Sequence, residues 1–116
     1  MSGPAVEEIG DVKLIAQVLP GVSPKDLRGL IDEHKAGLDA GAVVLIADTE
    51  GKAAVAAGVT EGLVGKVSAV DLVRAAVEVL GGKGGGGRPD MAQGGGPNPE
   101  AAPQALDAVR EKLQAI

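Results

Sequence analysis

The chain has 116 residues, enough for one domain with a single modest core and too few for two. Its 45% apolar share contains no Phe, Tyr or Trp, so the core must be thin and built from Val, Leu, Ile and Ala. The absence of cysteine excludes disulfides, thiolate zinc sites and thiol nucleophiles, and a formal charge of -5 argues against a general nucleic-acid binder.

Residues 1–10 read as a loose N-terminal segment and 11–116 as one domain. The longest apolar runs, such as Ala42 to Ala47, fall far below the ~18 residues of a membrane span, and no basic stretch leads into an apolar one at the start. A cytoplasmic location is expected. From Asp11 to Leu19, Val12, Leu14, Ala16 and Val18 share one face and predict a strand. Ser23 then reads as an N-cap, with Pro24 at the first helical position and Asp26 three residues after the cap. Leu27, Leu30, Ile31 and Leu38 mark the buried face of this helix, and Gly37 or Gly41 ends it.

Ala42 to Asp48 is a continuous apolar run, as expected of a strand covered on both faces. Asp48 to Gly51 is a hairpin connection to a second apolar run, Lys52 to Val59, whose small residues allow close packing. Ser68 caps a second helix with Asp71 three residues on, and Ala69, Leu72, Val73, Ala76, Val77 and Leu80 form its stripe. Gly81 terminates it. Met91 to Gly95 predicts a short strand. Pro97-Asn98-Pro99 opens a third amphipathic helix with a face of Ala102, Leu106, Val109, Leu113 and Ile116, in which Pro103 is awkward unless the helix begins near residue 102 and holds it in its first turn. The order β-α-β-β-α-β-α describes an α+β fold, a mixed β-sheet with helices packed on it.

Charge is unevenly spread. Residues 1–50 carry nine acids and four bases, whereas 51–96 carry five bases and four acids. The middle segment is therefore where an anion would bind, and within it GGKGGGGRPDMAQGGG, Gly81 to Gly96, places nine glycines in sixteen residues. Gly82, Gly84 and Gly87 formally match a dinucleotide fingerprint, but that motif follows a strand and opens a helix, and this run does the reverse. The phosphate-cradling loop fails too, because Val67 follows Lys66 and Gly84 follows Lys83. By composition the run is either a flexible linker or a site where backbone N–H groups meet a sugar–phosphate chain without Cβ clashes. In the second case Lys83 and Arg88 add the charge.

The run resembles the signature of the DHH-associated domain near the end of bacterial alanyl-tRNA synthetases, a domain that also follows the catalytic domain of DHH-family phosphoesterases. The resemblance extends to VSAVDLVRAAVEVLGGK, AVVLIADTEGKAAVAAGV and SPKDLRGLIDEHKAGL, and so spans Ile9 to Ile116; Gly94 stands where alanine is more usual. It implies a non-catalytic domain that contacts the outer corner of tRNA(Ala), supports aminoacylation and editing by the parent enzyme, and contributes to dimerisation. Carried onto this sequence, the matched positions are Gly81, Gly82, Lys83, Gly84, Gly85, Gly86, Gly87, Arg88, Pro89, Asp90, Met91, Ala92 and Gln93. Lys83 and Arg88 are the expected phosphate contacts and the glycines the expected backbone donors. No cofactor is implied here, ATP and zinc being expected of other domains of the parent. The lack of aromatics suits a reader of folded RNA better than one that stacks unpaired bases.

Other residues read more plainly. His34 is a boundary histidine, and Glu7-Glu8 and Asp32-Glu33 are solvated faces rather than acid/base or metal pairs. Asp90 is a turn residue or a partner for Arg88, and Met91 belongs to the core. For Gln93 a strand role and an RNA contact are equally open. Two other functions compete. The substrate-binding half of a DHH-type phosphoesterase would need upstream metal ligands, since the chain has no Asp-His-His. A dimerisation or interaction module would use the acidic first half and the small-residue strand.

Overall fold

The computed structural model describes residues 6–10, 12–38, 40–49, 51–82 and 85–115, with only the backbone of Thr49. Its elements are β1 (Glu7–Ile9), β2 (Val12–Pro20), α1 (Leu27–Ala36), β3 (Gly41–Thr49), β4 (Lys52–Val59), α2 (Ala69–Leu80), β5 (Gly86–Arg88), β6 (Met91–Gly96) and α3 (Ala102–Gln114). The six strands form one mixed sheet in the order β1-β2-β3-β4-β6-β5. β2 and β3 are parallel, joined through α1, and every other neighbouring pair is antiparallel. The α+β architecture expected from the sequence is therefore present.

Alternation along β3 explains the layers. Ala42, Val44 and Ile46 point into a core shared with α2 and α3, while Val43, Leu45 and Ala47 point into a second, smaller core under α1. That is why the run reads as uniformly apolar. β4 divides its side chains in the same way, and at Gly58 the helix lies directly on the strand. A Cβ there would overlap Ile31 Cγ2 and reach 2.7 Å from Lys35 Cδ, so only glycine lets α1 seat. The buried stripe of α2 is Ala69, Leu72, Val73, Ala76, Val77 and Leu80, as the spacing predicts, and the Ser68 hydroxyl accepts from Val70 N at 3.2 Å. In α3, Pro103 occupies the first turn, and Ala102, Ala105, Leu106, Val109 and Leu113 are buried. Ile116 lies outside the described residues. No helix among the described residues is long and apolar enough to cross a membrane.

Three expectations are corrected. Glu7–Ile9, read as part of a loose segment, is an edge strand paired with β2. Arg110 of α3 holds it by donating from Nε to Glu7 Oε1 and from an Nη to Glu7 Oε2, each at 2.9 Å. Ser23 does not cap with its side chain: its carbonyl accepts from Asp26 N at 2.9 Å, making a 3-10 turn at Pro24–Asp26 before α1 begins. Gly86–Arg88 is a strand as well, hidden in the sequence because polyglycine carries no alternation.

Candidate functional site

The glycine run begins as a helix terminator. Gly81 is left-handed at φ 81°, and its N–H donates to Glu78 O at 3.4 Å; Gly82 N donates to Val77 O at 3.0 Å. Both N–H groups, expected to be ligand donors, are thus spent on the end of α2. Lys83 and Gly84 lie outside the described residues.

The next glycines answer to packing. β6 runs under α2 so closely that a Cβ on Gly94 would lie 2.7 Å from Val77 Cγ2 and 2.9 Å from Val73 Cγ1. A Cβ on Gly85 would meet Val73 Cγ1 at 2.6 Å, and one on Gly82 would overlap the Gly95 carbonyl oxygen. Gly87, at φ 150°, would drive a Cβ to 2.5 Å from Met91 O. These residues are glycine because helix, strand and returning chain touch backbone to backbone. Gly86 differs. It is exposed, has no positive φ, and would place a Cβ in open space.

Arg88 and Met91 pair across the two-residue turn Pro89-Asp90. That turn is bolted to three elements: Pro89 O accepts from Ala69 N of α2 at 2.8 Å, and Asp90 O accepts from Val59 N of β4 at 2.9 Å and from Lys35 Nζ of α1 at 3.4 Å. Asp90 is therefore a turn residue whose carbonyl does the bonding, and Met91 packs half-buried against the core under α1. Arg88 is left exposed on the flank of a rigidly held hairpin.

Opposite Arg88 stands α1. Arg28, Asp32 and Lys35, spaced four and three residues apart on one helix face, line one wall of an open cleft of about 300 Å³. Gly86, Arg88 and Gln93 of the hairpin line the other, with Asp90 at its end. Gln93 is exposed, two residues along β6 from Met91 and so on the face of the sheet that bears α1. Three cations face two carboxylates, a local surplus of one positive charge on a chain of net charge -5. Such a cleft attracts an anion and can hydrogen-bond it from guanidinium, ammonium and amide groups. The sequence reading missed Arg28 and Lys35, although their helical spacing was visible; nothing local says that the hairpin lies beside them.

The remaining candidates are unremarkable. His34 is half-buried on α1, and Glu7 is bound to Arg110. No group of three or more His, Asp or Glu among the described residues could hold a metal ion.

Comparison with known proteins places this geometry in a family. Residues 11–115 match the DHHA1 domain model. The alanine–tRNA ligase of Ruegeria pomeroyi is 63% identical over 96% of this chain, and that of Sphingopyxis alaskensis is 56% identical over 97%. The chain spans only about an eighth of these relatives, 12% and 13% of their lengths. Among solved structures, the C-Ala domain of Aquifex aeolicus alanyl-tRNA synthetase superposes with a TM-score of 0.89 at 34% identity, covering 95% of this chain and 98% of that one. RecJ of Thermus thermophilus shares the fold, with a TM-score of 0.66 at 19% identity over 89% of this chain and 15% of its own. The chain belongs to the DHHA1 domain family and, within it, to the C-Ala domains of alanyl-tRNA synthetases.

Proposed function

We propose that this domain is the non-catalytic tRNA-binding part of an alanine–tRNA ligase. It grips the backbone at the outer corner of tRNA(Ala) with the β5–β6 hairpin, and so supports aminoacylation and editing carried out elsewhere in the parent, where ATP and zinc would bind. The observation that carries this reading is the exposed Arg88, held on a turn tied to α1, α2 and β4, beside a cleft with a cationic surplus on an otherwise acidic chain. The strand that carries Arg88 is held in place, and a planar guanidinium fork loses less entropy per hydrogen bond when it clasps a phosphate. Lys83, three residues after Leu80 in the sequence, adds a second phosphate contact, and Gly86, Gly87 and Gln93 face the same ligand. The likeness to alanine–tRNA ligases and to the C-Ala domain of an alanyl-tRNA synthetase supplies the RNA.

Titration of tRNA(Ala) across a salt series tests it. The Lys83→Gln and Arg88→Gln double variant is expected to bind more weakly, with the log–log salt slope reduced by ~1.8, two phosphate contacts' worth. Unchanged affinity and slope would remove the hairpin from the interface.

A further inference from the structure

Resting on that reading, we propose that α1 supplies the second wall of the RNA-backbone site: Arg28 and Lys35 hold the phosphate that Arg88 reaches from the hairpin, with Gly86 as the point of closest approach.

Three observations carry this. First, Arg28, Lys35 and Arg88 converge on one cleft, yet none has a carboxylate within ion-pair distance among the described residues, where both ion pairs belong to Arg110. With three cations against two carboxylates in the cleft and no direct ion pair among them, one positive charge is left over, and a bound anion balances it. Second, Lys35 is already placed. Its stem lies across Gly58, where even a methyl group would collide with it, and its ammonium spends one long hydrogen bond, 3.4 Å, on Asp90 O. Two of its three donors stay available at the cleft, and much of its rotamer entropy is lost before any ligand arrives. Third, Gly86 is the cleft-lining glycine for which the chain itself gives no reason. Gly29, Gly62 and Gly65 also meet nothing, so open space alone is not diagnostic, but none of those three lines this cleft. A bare Cα between Arg88 and Gln93 lets a phosphodiester approach the strand to backbone distance.

Asp32 sits on the same wall, four residues after Arg28 and three before Lys35, and opposes an anion. Its neutralisation makes the sharpest test, because a merely structural role predicts no gain. With tRNA(Ala) as the probe, Asp32→Asn is expected to tighten binding two- to fivefold. Arg28→Gln and Lys35→Met, the latter keeping the stem over Gly58, each weaken it three- to tenfold and lower the salt slope by a fraction of the ~0.9 that the one shared phosphate supplies. Gly86→Ala weakens binding at least threefold without lowering the melting temperature. If Arg88→Gln weakens binding while the α1 variants leave affinity and slope unchanged, α1 is not part of the site and the hairpin acts alone. If the unmodified chain shows no saturable binding to tRNA(Ala), both this proposal and the functional reading fall.

Discussion

The two sides of the β5–β6 hairpin use glycine for opposite reasons. On the side facing α2, Gly82, Gly85 and Gly94 are small because the helix and the β6 backbone together leave no room, and the chain enforces them on itself. On the side facing α1, Gly86 looks into open space, and any demand for its smallness must come from outside. One run of identical residues thus holds two kinds of constraint, and stability and binding measurements separate them. Gly82→Ala should show the largest effect: its methyl overlaps a backbone carbonyl that cannot rotate away, so a loss of about 3 kcal/mol, or ~12 °C in melting temperature, is expected by thermal unfolding. Gly94→Ala should cost less, about 1–2 kcal/mol, because the colliding atoms are valine methyls. Adding Val77→Ala should recover part of that loss, and calorimetry of the single and double variants checks the coupling. Gly86→Ala should be the smallest and opposite in sign, neutral or stabilising by ~0.5 kcal/mol through the unfolded chain. A clear loss of stability there would mean that both sides of the hairpin are packed and the contrast is false.

Most of the fold was legible because it depends on local periodicity. The ends of β4, the six-residue stripe of α2 and the left-handed Gly81 all follow from spacing and cap chemistry within a dozen residues. What was hidden depends on distant partners. β1 is three residues with two glutamates, and part of what anchors it is Arg110, 103 positions away. The site divides the same way. Arg88 stood out beside its glycines, whereas Arg28 and Lys35 look like an ordinary solvated helix face until the hairpin is folded against them. Gly81 and Gly82, expected as ligand donors, show a related effect: a helix end has its own unsatisfied groups, and here these two glycines donate to them.

The sheet order places a three-residue strand at each rim, one bearing Glu7 and Glu8, the other Gly86, Gly87 and Arg88. β3 and β4 are interior, whereas β1 covers only Val12–Leu14 of β2 and the rest of that strand pairs on the β3 side alone among the described residues. A foreign chain seeking to pair with the outermost strands finds a short acidic rim clasped to α3 at one end and a glycine rim with little side-chain surface at the other. Both features disfavour runaway strand addition. The architecture therefore puts the two shortest and least adhesive strands at the ends of a Val- and Ala-rich sheet, where they blunt amyloid-like growth from those ends.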